Sequence, residues 1–538
     1  MKTAIEDALA AIVAQSSLPQ GFQFSAYQKS SFARLLMGHD LLVSLRTGGG
    51  KFLIGALSSL FCNGGTLFLL TPLDMLAIEH YQSMVKCGIP TNRIVVLNSS
   101  NIDTVVQQVN DVKQHGEAFY VIGHPEYFLQ LNRRKAYNTK HCSVSVVVVD
   151  ELQLVKEWGI GGFRVAWKKI QELLRHHDKI RFVGLSGSAK PALRTELCGI
   201  VGIHRQSILV GDMSRWDLKH TVVEEYGNLP RTTNTWKSGT AKIHQMEQIL
   251  LLLDNDTDGR GVIVWVQSCE GCDKYCNDLN EFFAARKEAG SGTAVRRHAA
   301  YTYYNNNSTH SLKAVIDFFG NKDHPCDVMV GTIALMYGLN FPPVAGVFSI
   351  GCTAGISPQW QLVGRSNRGF GVSTIGRTFL FFNYKKYRDD VVREIKNLSF
   401  EYENIDGAHA AAVEAVKDLQ EIYKMALDNR LCLQLYYDEY FGGSQIHKRC
   451  QRGNEAACSI CERRWTVENL RVAAKSMTDA NQHNKAIKKT LPRQCTRPIP
   501  HRPTSMFPPP RSLWLKEGDP TIKWLVLHME RILSNRQI

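Results

Sequence analysis

The sequence predicts an α/β protein with two parallel-sheet lobes, followed by a small helical domain. Short β-branched runs alternate with helical stretches, and this alternation pauses once and then restarts, which indicates two lobes. A cluster of cysteines beyond the second set of runs indicates the small domain. The 538 residues also exceed what one hydrophobic core serves, because cores stop growing near ~250–300 residues.

The predicted strands fall into two sets of continuous apolar runs, as buried parallel strands do. The first set is expected at 41–45, 66–70, 94–97, 119–122, 144–149 and 180–185. The second set is expected at 261–266, 294–301, 328–331, 344–350 and 378–382. No strand pattern is recognised over 211–234, so the junction between the lobes is placed near residue 214.

These patterns divide the chain into five segments. They are an N-terminal amphipathic helix at 1–17, a first lobe at 18–213, a second lobe at 214–394, a helical domain at 395–465 and a tail at 466–538. The tail holds 13 Lys and Arg against 5 Asp and Glu, and 8 of the 18 prolines lie beyond residue 490. It is interpreted as a basic linker that is solvated or contacts phosphates non-specifically, with one short helix at 521–533.

Several classes of protein are excluded by composition. No apolar run approaches the ~20 residues that a membrane span needs. The N-terminal apolar stretch carries Glu6 and Asp7, unlike a signal peptide. The 14 cysteines are therefore expected to be free thiols or metal ligands rather than disulfides.

A phosphate-binding loop is predicted directly after the first strand. Thr47, Gly48, Gly49, Gly50 and Lys51 connect this strand to a helix. Glycines let the backbone N–H groups turn toward a phosphate, and a lysine reaches the terminal phosphates of a nucleotide.

Two carboxylates end a buried strand of the same lobe. Asp150 and Glu151 follow the run 144–149, at the edge where α/β sheets bind ligands. Asp150 is expected to hold Mg²⁺ through water, and Glu151 to orient or deprotonate an attacking water. One residue departs from this pattern, because Phe52 stands after Lys51 where a Mg²⁺-binding hydroxyl is usual. Phe52 puts hydrolysis in doubt more than it does nucleotide binding.

Between about residues 22 and 465 these motifs resemble those of superfamily 2 helicases, and of the RecQ family in particular. The motifs that carry the resemblance are Asp150-Glu151-Leu152-Gln153, Trp158-Gly159 with Phe163-Arg164, Ser186-Gly187-Ser188-Ala189, 331–340, and Gln361-Leu362-Val363-Gly364-Arg365-Ser366-Asn367-Arg368. Gln153 replaces the histidine of the family's acidic box, and the Arg-Pro-Gly that usually precedes Gln28 is absent.

The resemblance implies two RecA-like lobes of a P-loop NTPase that use ATP and Mg²⁺. It implies that Gln28 reads adenine, that Thr47 to Phe52 and Gln361 line the nucleotide site, and that Arg365 and Arg368 reach across from the second lobe. The residues implied to contact DNA are Trp158, Phe163, Arg164 and Thr332. An alternative for Trp158 and Phe163 is that they cover the core as lid residues.

Four cysteines lie within 30 residues of one another and predict a metal centre. They are Cys432, Cys450, Cys458 and Cys461, of which the last two form the Cys-x-x-Cys turn that brings two thiolates onto one ion. Their spacing resembles the RecQ zinc module, which implies structural Zn²⁺. Cys269, Cys272 and Cys276 form a second group, which we interpret as incidental or buried.

The expected function is that of an ATP-dependent 3′–5′ DNA helicase or translocase. The resemblance implies single-stranded or branched DNA as the partner, a role in repair or recombination, and a nuclear location if the source is eukaryotic. Protein partners are not indicated. Two alternatives stay open: a nucleotide-gated DNA-binding protein with impaired hydrolysis, motivated by Phe52, and an RNA helicase.

Overall fold

The structure is a computed structural model of the chain. It describes residues 21–62, 65–111, 118–133, 144–160, 164–170, 180–224, 239–256, 260–288, 299–304, 326–332, 335–337, 344–351, 355–367, 375–382, 432–442 and 457–466, with 6, 7, 9, 10, 13, 14, 18, 319, 342, 353, 417, 418, 421, 422, 424, 425, 450 and 468. All of them belong to one compact unit, Met1–Leu470. Apart from 466 and 468, the predicted tail lies outside the described residues with its helix at 521–533, as do Phe163 and Arg368.

The first lobe is built on a seven-stranded parallel sheet. Its strands are β1 (Leu41–Ser44), β2 (Thr66–Leu70), β3 (Ile94–Val96), β4 (Phe119–Gly123), β5 (Val144–Val149), β6 (Arg181–Ser186) and β7 (Ile208–Val210). Their order across the sheet is β3-β4-β2-β5-β6-β1-β7. The six predicted strands form here because each is an apolar run; five are buried almost throughout, and the edge strand β3 is partly exposed.

The second lobe is built on a six-stranded parallel sheet. Its strands are β8 (Leu218–Glu224), β9 (Gly261–Trp265), β10 (Ala300–Tyr303), β11 (Val328–Gly331), β12 (Val344–Ile350) and β13 (Gly376–Phe382), in the order β10-β11-β9-β12-β13-β8. The expectation that no strand lies between 211 and 234 was wrong, because β8 pairs with β13 along its whole length. The polar residues of this edge strand concealed it in the sequence.

Helices connect the strands and cover the sheets. The described helices are Ala26–Leu36, Lys51–Leu57, Asp74–Lys86, Ile102–Asp111, Pro125–Arg133, Pro191–Val201, Gly239–Asn255, Cys269–Glu288, Ile356–Val363 and Leu433–Phe441, with a π-helical turn at Val155–Ile160. None of these described helices is both long and apolar enough to cross a membrane.

The sheet order brings three motifs to one edge of the first lobe. Because β5, β6 and β1 are neighbours and parallel, the segments that follow them leave the sheet side by side. These segments are the acidic pair, the turn after Ser186 and the glycine loop. The second lobe packs onto this region, and one continuous apolar cluster joins residues of both lobes, among them Trp158 and Tyr337.

The cysteine-bearing segment packs on the second lobe. The helix Leu433–Phe441 shares an apolar cluster with Met213, Val222 and the helix Ile356–Val363. Gln434 donates through Nε2 to the backbone carbonyl of Leu218 at 2.6 Å. The predicted helical pattern over 412–427 is described only in part, at residues 417, 418, 421, 422, 424 and 425.

Candidate nucleotide site and cysteine centre

The loop after β1 has the conformation that a phosphate-binding loop requires. Gly48 and Gly50 have φ of +79° and +76°, in the left-handed region that favours glycine. The Lys51 ammonium folds back over the loop and donates to the backbone carbonyls of Leu45 at 3.0 Å and Arg46 at 3.2 Å. The lysine is therefore held beside the backbone that would surround a phosphate.

Gln28 is buried against this loop. Its Nε2 donates to the carbonyl oxygen of Gly50 at 3.1 Å, and its Oε1 accepts a hydrogen bond from the Ser25 backbone N–H at 2.8 Å. A Cβ on Gly50 would lie 2.5 Å from Gln28 Nε2 and would displace this amide, while the positive φ of Gly50 itself favours glycine. Gln28 thus fixes the loop, and its adenine contact stays a prediction.

The environment of the Thr47 hydroxyl indicates whether the loop can hold a phosphate. This hydroxyl is buried and has no hydrogen-bond partner among the described residues. A Cβ placed on Gly187 would lie 3.6 Å from Thr47 Oγ1 and 3.2 Å from Lys51 Nζ, so both groups border one small space. A buried donor without a partner costs about 1–3 kcal/mol, and a phosphate oxygen would accept from both groups. The residues of the loop therefore fit a nucleotide phosphate.

Asp150 is held as a carboxylate at the end of β5. Burial alone would raise its pKa, but a hydrogen bond from His80 and the charges of His80 and Lys51 hold the pKa of Asp150 below its usual value. His80 Nε2 lies 3.0 Å from Asp150 Oδ2, and the backbone N–H of Glu151 donates to Asp150 Oδ1 at 3.0 Å. An ionised carboxylate is the form that binds a divalent cation.

Glu151 differs from its neighbour in charge behaviour and in backbone conformation. Burial, followed by the negative charge of Asp150, raises the pKa of Glu151. A higher pKa makes this carboxylate the better proton acceptor of the two. Its φ of +51° lies in the left-handed region, which costs a non-glycine residue on the order of 1 kcal/mol and is characteristic of functional sites.

Gln153 explains how the acidic box works without a histidine. Its Nε2 donates to Glu151 Oε2 at 2.8 Å, and its Oε1 accepts from the Ser186 hydroxyl at 2.6 Å. Because an amide both donates and accepts, Gln153 connects the acidic pair with the turn after β6.

The second lobe closes the site through Gln361. Its Nε2 donates to Glu151 Oε2 at 2.9 Å and to Ser188 Oγ at 3.0 Å. The hydroxyl of Ser357, on the same helix as Gln361, donates to the backbone carbonyl of Ser188 at 3.0 Å. The helix Ile356–Val363 therefore contacts both the acidic pair and the turn after β6.

Arg365 follows this helix and is fully buried. Its Nη2 donates to the backbone carbonyl of Met336 at 2.5 Å. Burial lowers the pKa of Arg365 to about 10, so the guanidinium stays charged at neutral pH. The negative charges of Glu151 and Asp150 stabilise it from the first lobe.

Thr332 lies directly after β11, where its carbonyl accepts from the Leu335 N–H at 3.0 Å.

Trp158 is buried, whereas Arg164 is partly exposed. Trp158 is 7% exposed and packs edge-on against Trp167 and Tyr337. The Arg164 guanidinium is bound bidentately by Glu126, at 2.8 and 2.6 Å. Apolar packing holds Trp158, as the lid alternative implies, and an ion pair holds Arg164. Their contact with DNA stays a prediction.

Sequence reasoning missed His80. This residue is buried on the helix Asp74–Lys86, where its ring stacks on Phe52 with centroids 4.9 Å apart and planes inclined by 18°. No motif marks a lone histidine on a helix. The only signal was Phe52, which replaces the usual hydroxyl after Lys51 and so suggests that another side chain takes over its role.

The four predicted cysteines converge. The Sγ atoms of Cys432, Cys450, Cys458 and Cys461 all lie within 4.8 Å of one another. A tetrahedral ion with metal–sulfur distances of about 2.3 Å needs sulfurs about 3.8 Å apart, so the group fits zinc. The thiols interact through hydrogen bonds, which lower the pKa of Cys432 and raise the pKa of Cys450.

The other cysteine group lies in the second lobe. Cys272 and Cys276 are buried in an apolar cluster of this lobe. The Cys276 thiol donates to the Ala300 carbonyl at 3.1 Å. Burial raises the pKa of both thiols, which disfavours the thiolate form.

Two comparisons with known proteins concern the first lobe and the fold. Residues 25–195 match the DEAD/DEAH box helicase family. Two solved structures of Mss116 share the fold, with TM-scores of 0.51 and 0.50 and 16% identity, over 78% of this chain and 87% and 86% of theirs. Residues 25–195 are thus similar to a DEAD/DEAH box helicase domain, and the fold of the chain is that of two RecA-like lobes.

Relatives that match most of the chain are RecQ helicases. The ATP-dependent DNA helicase RecQ of Pasteurella multocida is 24% identical over 82% of this chain and 60% of its own length. The helicase Q-like 2 of Arabidopsis thaliana is 22% identical over 78% and 53%, and the RecQ-like helicase BLM of Xenopus laevis is 21% identical over 82% and 29%. The chain is similar to these proteins and spans at most 60% of their length.

Proposed function

We propose that the chain is an ATP-dependent DNA helicase or translocase of RecQ type that moves 3′ to 5′. One observation carries the proposal: Gln361 of the second lobe donates to both Glu151 and Ser188 of the first. A nucleotide bound beside these residues would be sensed by both lobes. ATP hydrolysis would then change how the lobes fit together, which is what a translocating motor requires.

The residues of the site divide the work of hydrolysis. Lys51 and the loop N–H groups would bind the phosphates of ATP, and Asp150 would hold the divalent cation, expected to be Mg²⁺, which neutralises phosphate charge. Glu151, with its raised pKa, would accept a proton from the attacking water. Arg365 would stabilise the charge that develops on the transferred phosphoryl, an effect worth ~10³–10⁵ in rate. Arg368 is proposed to share this role.

Single-stranded or branched DNA is the proposed nucleic acid. The relatives named above are DNA helicases by their printed names, which favours DNA over the RNA alternative. The likeness to the Mss116 structures concerns only the fold. Trp158, Phe163, Arg164 and Thr332 are the proposed DNA contacts, and Trp158 lies in the π-helical turn that follows the acidic box.

The cysteine centre is proposed to hold structural Zn²⁺. Four converging thiols leave no coordination position for a substrate, which is typical of a structural ion. Zn²⁺ would organise the segment that packs on the helix Ile356–Val363. A role in DNA repair or recombination, and a nuclear location in a eukaryotic cell, complete the proposal.

The test measures ATP hydrolysis by the purified chain with Mg²⁺, with and without single-stranded DNA, and strand separation on duplexes with a 3′ or a 5′ tail. We expect hydrolysis to rise at least ~10-fold with DNA and unwinding to require the 3′ tail. Nucleotide and DNA binding without hydrolysis would support the impaired-hydrolysis alternative instead. Stimulation by RNA in preference to DNA, in competition, would support the RNA helicase.

A further inference from the structure

His80 adds an imidazole to the nucleotide site beside the carboxylate proposed to hold the cation. Its Nε2 lies 3.0 Å from Asp150 Oδ2, and the histidine is 6% exposed. The sequence motifs of the site supply hydroxyl, carboxylate, amide, ammonium and guanidinium groups, but no imidazole. The imidazole therefore changes the set of donor atoms available to a cation.

Phe52 determines how this imidazole is presented. The phenyl ring occupies the position after Lys51, where a hydroxyl would otherwise provide an oxygen ligand. Its face lies against the face of His80, with an interplanar angle of 18°. Because the stack covers the ring face, only the ring edge, with Nε2, is turned toward Asp150.

We propose that His80 and Asp150 together bind the divalent cation of the nucleotide site, and that this pair favours a first-row transition ion, such as Mn²⁺, over Mg²⁺. The inference rests on the proposed binding of ATP at this site. Two ligand atoms in adjacent positions of an octahedral ion, each about 2.1 Å away, lie about 3.0 Å apart. His80 Nε2 and Asp150 Oδ2 lie 3.0 Å apart, and the cation would replace the proton that Nε2 donates to Asp150 in this structure, which is released to solvent.

The chemistry of the two donors gives the preference its direction. Mg²⁺ prefers oxygen ligands and retains its waters, whereas imidazole nitrogen binds first-row transition ions more readily. Phe52 removes one oxygen ligand and His80 supplies one nitrogen, so both changes weaken Mg²⁺ relative to the transition ions. The carboxylate of Asp150 serves either kind of ion.

The test uses Mn²⁺ as the probe, with the full chain and the β,γ-methylene analogue of ATP, which is not hydrolysed at that bond and has no nitrogen in its phosphate chain. Pulsed electron spin resonance detects ¹⁴N nuclei bonded directly to Mn²⁺. We expect a ¹⁴N signal in the native protein and its loss in His80→Asn. The Mn²⁺ affinity relative to Mg²⁺ should fall about 10-fold in His80→Asn, because an imidazole ligand is lost.

His124→Asn is the matched control. His124 Nε2 lies 3.0 Å from Asp74 Oδ1, the same separation as in the His80 pair, but outside the nucleotide site. This variant should keep both the ¹⁴N signal and the Mn²⁺ affinity. Phe52→Ser restores a hydroxyl and removes the stack, so it should shift the preference back toward Mg²⁺.

The native protein alone decides the proposal, even if a variant does not fold. Absence of ¹⁴N coupling while the nucleotide analogue is bound would show that His80 is only a hydrogen-bond partner of Asp150, and would overturn this inference without touching the helicase proposal. Failure of the analogue to bind, measured by fluorescence of a labelled nucleotide, would overturn both.

Discussion

At the residue scale, Asp150 and Glu151 take different roles because they are two carboxyl groups buried side by side, and their pKa values shift in opposite directions. His80 and Lys51 hold Asp150 ionised, and the charge of Asp150 in turn raises the pKa of Glu151. Replacing Glu151 by Gln removes the proton acceptor but keeps an oxygen for Gln361. We expect Glu151→Gln to lower hydrolysis by ~10²–10⁴-fold with unchanged affinity for ATP. Steady-state turnover and nucleotide titration test this, and turnover within a factor of a few of the native protein would contradict it.

Arg164 provides a second prediction at this scale, since the structure gives it an internal role. Beyond Glu126, it donates to the backbone carbonyl of Pro72 at 2.6 Å. Arg164→Ala should lower the free energy of unfolding by about 1–3 kcal/mol, because charge-assisted hydrogen bonds are lost. Lys156→Ala is the control: its pair with Glu196 is more exposed and should contribute less than about 1 kcal/mol. Urea denaturation of both variants measures the difference, and equal stability would refute the internal role.

At the element scale, most strands of the two sheets were predictable because buried parallel strands have continuous apolar sequences, such as Val144–Val149. β8 was missed because its residues Lys219, His220 and Thr221 look like a loop until they pair with β13. The motif residues were predictable for the same local reason, since each follows a strand. His80 was not, because its role arises only when a helix far away in sequence packs it against Phe52 and Asp150.

The cysteine centre should stabilise an element of the second lobe as well as its own segment. The hydroxyl of Ser459, next to Cys458, accepts from the backbone N–H of Val222 in β8 at 3.1 Å, and Tyr437 packs on Trp360. We expect one Zn²⁺ per chain by elemental analysis. Cys458→Ser should reduce the bound Zn²⁺ and lower the melting temperature by several degrees, whereas Cys62→Ser, at a cysteine remote from the centre in sequence, should retain the metal. Full retention of Zn²⁺ in Cys458→Ser would contradict the assignment.

At the scale of the whole molecule, the lobes are joined by contacts that respond to pH. The Tyr337 hydroxyl of the second lobe donates to Glu157 of the first at 3.3 Å. Burial raises the pKa of Glu157 to about 7 from its ordinary 4.5. The charges that act on it are Asp418, Glu151 and Lys190.

A raised pKa means that the folded protein binds a proton between pH 4.5 and 7 that the unfolded chain does not. The stability that Glu157 contributes is therefore fully present below this window. As pH rises through the window it is lost, and the free energy of unfolding falls by up to roughly 3 kcal/mol. Glu157→Gln, which cannot ionise, should remove this part of the pH dependence. Denaturation at pH 5 and pH 8 tests the difference, and identical pH profiles for the two proteins would disprove it.

Gly364 of the second lobe lies close to Thr47 of the glycine loop, and this approach depends on the absence of a side chain on Gly364. A Cβ added to Gly364 would lie 2.7 Å from Thr47 Oγ1 and 2.9 Å from Thr47 Cβ, both shorter than real contacts. Gly364→Ala should therefore push the second lobe away from the glycine loop without disturbing either sheet. The bridge from Gln361 to Glu151 would lengthen, so DNA-stimulated ATP turnover should fall by ~10-fold or more, since small misplacements of reacting groups are costly. Far-ultraviolet circular dichroism should stay native.

Gly199→Ala, on a helix where a Cβ meets nothing within 4 Å, should leave turnover unchanged. Equal turnover in the two variants would mean that the lobes do not need this approach to hydrolyse ATP.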